Sequence, residues 1–356
     1  MNFLLAALVR CIVGCNAGAS DAQTLHVLEC DTATGEMSTV QTVKGVQGTN
    51  YFCIDREKKN LYSYIAETAG GKKRGVIVRF PVENGRLGEM SRLAVLPSGP
   101  PCHIALSPDG SRLGFACYGS ATVGTLRTDG SGLAVAVHDN DGLGTDKARQ
   151  DKAHAHCALF TLDGTHVGMV DLGKDSILFY KAATMEPVPA MTVRMDSGDG
   201  PRHAVWSKNG KFLFVVNELG NSVTSFAFDG TKFSHVGKWS TLPAGFNEWS
   251  KASAIRLSGD GSVLMASNRG YKKNSIAVYS VDIEKGTLSL HNIADVDGIF
   301  PRDFEFVPGG EFVIVGHKRS DEVCMYRFDR EKWTLTPAAS RVGLWKPLCF
   351  GFIQGY

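Results

Sequence analysis

Apolar residues in this chain come in short runs that break at similar places. Five segments can be laid over one another: His103-Ile-Ala-Leu-Ser-Pro-Asp-Gly, His156-Cys-Ala-Leu-Phe-Thr-Leu-Asp-Gly, His203-Ala-Val-Trp-Ser-Lys-Asn-Gly, Ala254-Ile-Arg-Leu-Ser-Gly-Asp-Gly and Asp303-Phe-Glu-Phe-Val-Pro-Gly-Gly. A sixth, from Asn50-Tyr-Phe-Cys-Ile-Asp, is degenerate at its turn. The starts recur with a period of about fifty residues, the size of a propeller blade. In each unit a short apolar strand runs, in most cases, into an Asp-Gly or Asn-Gly turn, the strongest local hairpin signal. Second strands are expected at Arg112–Cys117, His166–Asp171, Phe212–Asn217, Val263–Asn268 and Phe312–His317. Third strands follow at Thr122–Leu126, Ser176–Tyr180, Ser222–Phe226, Ser275–Tyr279 and Glu322–Tyr326, and a weaker fourth ends each unit.

Four antiparallel strands per unit make a blade. Six units start at about residue 48, and Arg10–Val43 supplies most of a seventh. Its first strand must come from elsewhere, and Leu344–Phe352 can provide it. The expectation is an all-β, seven-bladed β-propeller whose ring is closed by the N- and C-terminal strands, so that no sheet edge is left open. It would occupy residues 10–356 as one domain, after a short apolar leader at residues 1–9. That leader and Ile12-Val13-Gly14-Cys15 have the outline of an export signal with a lipoprotein box, but no basic residue precedes the apolar run and Arg10 interrupts it. The charge pattern favours a strand over Arg10–Cys15.

Composition narrows the function. Forty glycines against 13 prolines suit many short strands and tight turns. A net charge of +2 without a Lys/Arg block gives no footprint for nucleic acid, and no other run is long enough to span a membrane. Nine cysteines without a C-x-x-C pair read as buried thiols, which points to a reducing cytoplasm.

Two slots recur from unit to unit and are polar beside apolar strands. One is the start of the first strand: Cys102-His103, Ala155-His156, Arg202-His203 and Arg302-Asp303. The other is the end of the second: Cys117-Tyr118, Asp171-Leu172, Asn217-Glu218, Asn268-Arg269 and His317-Lys318. In a radial array, equivalent slots converge on one face and can build a pocket. Glu218 reads either as a solvated loop carboxylate or as a general base with a raised pKa. His156 reads as a structural hydrogen-bonder or as the acid or base of ring opening. Arg202 and Arg269 need anionic partners, either Glu218 and Asp303 or a substrate carboxylate, phosphate or oxyanion. His154 and His156 have the spacing of a metal pair, but no further motif completes a zinc site, so no metal and no cofactor are expected. No G-x-S-x-G elbow, P-loop or dinucleotide fingerprint occurs.

Gly200-Pro-Arg-His-Ala-Val-Trp-Ser-Lys-Asn-Gly-Lys-Phe-Leu-Phe-Val-Val-Asn-Glu-Leu, Ala266-Ser-Asn-Arg-Gly, Phe300-Pro-Arg-Asp-Phe and His154-Ala-His resemble the lactonase-type seven-bladed propeller family. This family includes propeller-type 6-phosphogluconolactonases and carboxymuconate-cyclising enzymes. The likeness runs from about Arg10 to Phe352; His317-Lys318 departs from it, where Asn-Gln is expected. The resemblance implies a central site with His156, Arg202, Glu218 and Arg269 as catalytic residues. Asp171, Asn217, Asn268 and Arg302 are implied as neighbours, and His203 beside Arg202 is placed with them as substrate-binding. It also implies hydrolysis of an anionic small-molecule lactone, 6-phosphogluconolactone foremost, by a monomer or weak homo-oligomer. A carboxy-cis,cis-muconate cycloisomerase is the enzymatic alternative, and a non-catalytic protein scaffold is the other.

Overall fold

The computed structural model describes residues 8–16, 24–46, 48–55 and 59–353. Its strands form seven antiparallel sheets arranged as the blades of a propeller. The first blade runs Pro347–Ile353, Leu8–Cys15, Leu25–Asp31, Met37–Val43 from its inner strand outwards. The C-terminal strand thus lies beside the N-terminal one, with Cys11 opposite Phe352 and Val13 opposite Phe350. The expected closing segment, 344–352, begins three residues later as a strand, and the expected closure is present. Of the apolar leader, residues 1–7 lie outside the described residues, and Leu8 and Val9 open the strand Leu8–Cys15.

The second blade contains Phe52–Asp55, the long hairpin Asn60–Ala69 and Lys72–Glu83, and Ser91–Val95, with a two-residue strand Arg86–Leu87 at its rim. Blades three to seven begin with inner strands His103–Leu106, Ala155–Phe160, Pro201–Trp206, Ser250–Leu257 and Pro301–Phe306.

The Asp-Gly signal has a visible cause. Ser107 Oγ donates to Asp109, whose carboxylate accepts the Ser111 amide, while the Arg112 amide donates back to Ser107 Oγ at 2.9 Å. Gly110 then takes a φ of 69° that a side chain would resist. The same knot recurs at Thr161/Asp163, Ser207/Asn209 and Ser258/Asp260. Apolar side chains between blades form the core. Val263, Met265, Ile276 and Val278 of the sixth blade pack on Val313, Val315 and Tyr326 of the seventh. Among the described residues no helix is long and apolar enough to cross a membrane. All nine cysteines are free thiols.

Candidate active site

The inner strands carry a repeated irregularity that aims side chains. In the fourth blade Ala155 pairs with Asp171 and Cys157 with Val170, so His156 is an extra residue without a partner. In the fifth, Pro201 pairs with Asn217 and His203 with Val216, which leaves Arg202 extra. In the seventh, Pro301 pairs with His317 and Asp303 with Gly316, and Arg302 is extra. Each is a β-bulge, a device that bends a strand and redirects one side chain. Proline opens two of these strands, where a ladder amide is not required. The sixth blade has its own shift between Ala252 and Ile255. There the Ser253 carbonyl accepts from Arg202 at 2.8 Å, and the Ser253 hydroxyl donates to the Arg302 carbonyl at 2.6 Å.

These bulges surround Glu218, which follows the second strand of the fifth blade and is 2% exposed. Arg149 Nη1 lies 2.7 Å from its Oε1, and Arg202 Nε and Arg269 Nη2 lie 3.1 and 3.0 Å from its Oε2. Burial alone would raise the Glu218 pKa, but Arg269, Arg202, His156 and Arg149 hold it well below the usual carboxylate range. The raised pKa expected from the sequence is therefore reversed, and Glu218 is an ionised group. Burial brings Arg269 down to about 10, an effect Glu218 partly offsets. Arg269 is fixed further by the Lys251 and Ala252 carbonyls, at 3.2 and 2.7 Å.

His156 lines the same cavity as Glu218. Burial and then Arg202 push its pKa well below the ordinary histidine value, with Glu218 acting the other way, so the imidazole is neutral. Its Nδ1 is sealed from solvent without a hydrogen-bond partner. His203 does not line the cavity; it stacks edge-on between His156 and His103, at 5.3 and 5.1 Å, and takes a contact of 3.1 Å from Arg202 Nη1. His154 spends both ring nitrogens on the Tyr118 carbonyl and Asp151, at 3.2 and 2.9 Å. Among the described residues no group of three or more His, Cys, Asp or Glu is placed to hold a metal ion.

Three expected neighbours are directed into the blades instead of the cavity. Asp171 accepts the amides of His154, Gly173 and Lys174 and holds His138 Nδ1 at 3.0 Å. Asn217 donates to Ser222 and Thr224, and Asn268 to Thr241 and Ser275. All three are nearly or fully buried. Asn217 and Asn268 fasten blade architecture while the residues that follow them, Glu218 and Arg269, line the cavity; Leu172, which follows Asp171, is buried and does not.

The cavity measures about 480 Å³. Sequence slots pointed to Cys102, Tyr118, His156, Glu218, Arg269 and Arg302 in its lining. Arg149, Trp249, Lys251, Tyr271, Phe300 and Arg319 were not singled out and also line it. Trp249 and Tyr271 lie 4.8 Å apart, and Arg319 sits over the Phe300 and Tyr271 rings at 4.3 and 4.6 Å. Glu218 is the single carboxylate among these lining residues, against four arginines and a lysine. A larger hollow of about 750 Å³ opens at the other ends of the inner strands, beside Leu257, Ser258 and Phe306. Its Asp260 is already paired with Arg330 at 2.6 Å, and its Glu305 with Arg256 at 2.9 Å.

Fold and cavity together are those of a propeller enzyme with its centre at one mouth of the ring. The chain belongs to the lactonase family of seven-bladed propellers: the family model described as "Lactonase, 7-bladed beta-propeller" matches residues 10–352, and the protein is a lactone hydrolase. It is 28% identical over 342 residues to a 6-phosphogluconolactonase of Bacillus subtilis, covering 94% of this chain and 95% of that one. A 6-phosphogluconolactonase of Formosa agariphila is 27% identical over 317 residues, covering 86% and 89%. Among solved structures, a periplasmic gluconolactonase of Pseudomonas aeruginosa superposes with a TM-score of 0.85 at 27% identity, covering 98% of this chain and 99% of that one.

Proposed function

We propose that the protein hydrolyses 6-phosphogluconolactone to 6-phosphogluconate, a step of the pentose phosphate route, at the Glu218 cavity. One observation carries this reading: an ionised carboxylate held by three guanidiniums in the same cavity as a neutral imidazole. His156 takes a proton from water as the oxygen attacks the lactone carbonyl carbon. Glu218 stabilises the imidazolium that forms, Arg269 at the cavity wall stabilises the oxyanion, and Arg202, buried behind the lining, holds Glu218 in place. Collapse of the tetrahedral intermediate breaks the ring carbon–oxygen bond, and the imidazolium returns its proton to the departing ring oxygen. The relatives named 6-phosphogluconolactonase support this substrate. A cytoplasmic setting fits nine free thiols.

The test is direct. Purified protein is assayed against 6-phosphogluconolactone and unphosphorylated gluconolactone, with spontaneous opening subtracted. Turnover of the phosphorylated lactone, lost in His156→Asn, is the expected result. Hydrolysis no faster than the spontaneous rate would sink the proposal.

A further inference from the structure

The fifth and seventh blades present the same two slots with opposite outcomes. In the fifth, the bulge residue Arg202 lies against Glu218, the residue after the second strand, at 3.1 Å. In the seventh, the bulge residue is Arg302, and the residue after the second strand is Lys318. The backbone equivalence is close: the Glu218 amide donates to the Gly200 carbonyl at 2.8 Å, and the Lys318 amide to the Phe300 carbonyl at 2.9 Å. An arginine that has a carboxylate partner in one blade therefore has an ammonium neighbour in the other. Neither the Arg302 guanidinium nor the Lys318 ammonium makes a hydrogen bond or ion pair among the described residues, although both are only partly exposed. Arg302 lines the cavity, and Lys318 lies near enough to feel its charge; two such neighbouring cations are costly unless an anion joins them.

We propose that Arg302 and Lys318, with Arg319 at the rim, form a subsite for a phosphate monoester dianion, and that Lys318 sets the preference for a phosphorylated lactone over the free one. The substrate anion takes the place that Glu218 occupies in the fifth blade. The planar Arg302 fork suits bidentate contact with phosphate oxygens, and Lys318 adds a point charge. The surroundings agree. Burial, then Arg302, Arg269, Lys346 and Arg319, bring the Lys318 pKa to about 8, a strain that a bound dianion relieves. Arg302 is likewise pushed down by burial and by Arg202 and Arg269. Trp249 and Tyr271 line the same cavity as Arg302 and give it an apolar side.

This assignment rests on the cavity being the lactone site, so the experiment separates the two. Inorganic phosphate is titrated calorimetrically into wild type, Lys318→Gln and Lys318→Arg at low ionic strength, and kcat and KM are measured for phosphorylated and unphosphorylated gluconolactone. Phosphate affinity is expected to fall about tenfold in Lys318→Gln and to be largely restored in Lys318→Arg. The ratio of kcat/KM for phosphorylated over free lactone falls by a similar factor, through KM. If phosphate binding depends on Lys318 but neither lactone turns over, the subsite stands and the lactonase substrate is wrong. If wild type does not bind phosphate at millimolar concentrations, or if Lys318→Gln leaves both affinity and ratio unchanged, the subsite is refuted. Thermal melts accompany each variant, and Arg302→Lys gives a second reading, losing the fork while keeping the charge.

Discussion

The character of the site is decided by individual side chains. Glu218 is an ion clamped by three cations, so Glu218→Gln does two things. Turnover per folded molecule falls by about 10²–10⁴, the usual loss of an acid–base partner. Stability also falls, by roughly 3–5 kcal/mol, because Arg149, Arg202 and Arg269 lose their shared counter-charge. Denaturant melts and single-temperature kinetics on the folded fraction read the two separately; a variant that melts like wild type would refute the structural half. Protons act on the buried histidines. Burial takes His103 down to about 3 and sends His156 and His203 well below the ordinary value. As pH drops through about 6.5 the unfolded chain binds protons that the folded protein refuses, so stability declines by about 1.4 kcal/mol per histidine per pH unit. For Glu218 the sign is the same but the window lies lower: its contribution is present above the unfolded carboxylate pKa and is lost as pH falls through its depressed folded value. A Tm series from pH 8 to 5 should slope downward with acid, and a flat series contradicts the neutral histidine row. In kcat/KM, the same neutrality puts the acid limb below the ordinary histidine range; a limb centred at about 6.5 or above would assign the proton transfer elsewhere.

Among the elements, the bulged inner strand is the unit that makes chemistry out of a repeat. Strand positions and turns were legible because a serine or threonine, an aspartate or asparagine and a glycine close each knot with local hydrogen bonds. His156, Arg202, Glu218 and Arg269 were legible because the repeat places them in equivalent slots. Asp171, Asn217 and Asn268 were misplaced for the same reason: overlay finds a slot, but alternation along a strand decides whether its side chain meets the cavity or the blade. Arg149 left no trace, since it comes from the irregular segment between Val137 and Ala155, outside the repeated strands. That segment is held by close backbone approach at Gly173. A Cβ there would stand 1.9 Å from the Lys152 carbonyl oxygen, and the Gly173 carbonyl also receives the Gly144 amide at 2.9 Å. Gly173→Ala is therefore expected to push the segment outward and weaken the Arg149–Glu218 pair. The cost is roughly 1–3 kcal/mol of stability, with a lowered kcat. Wild-type kinetics and melting in this variant would show that the segment adapts without moving Arg149.

At the scale of the whole molecule, function depends on a closed ring. The centre draws His156 from the fourth blade, Arg202 and Glu218 from the fifth, Arg269 from the sixth and Arg302 from the seventh, so its distances hold only while neighbouring blades stay packed. No disulfide ties them, since all nine cysteines are free. Closure rests on the inner strand Pro347–Ile353, which pairs with Leu8–Cys15 and buries Cys349, Phe350 and Phe352. Those side chains belong to two apolar clusters, one against Ile314 and Val323 of the seventh blade, the other against Phe52 and Leu61 of the second. A chain ending after Lys346 would lose both clusters' inner wall and expose the ladder of Leu8–Cys15 as a free edge. Removing two buried phenylalanines alone costs roughly 6–10 kcal/mol at about 3–5 each, comparable with the whole stability of an ordinary domain. The truncated protein is therefore expected to be unfolded or aggregated and inactive. Adding the peptide 347–353 in trans should restore some soluble, active protein, because it supplies the missing inner strand. Circular dichroism, solubility and lactone turnover of the truncated chain, with and without the peptide, check this. A truncated chain that melts cooperatively near the wild-type temperature and keeps its turnover would show that the remaining blades hold the site without closure.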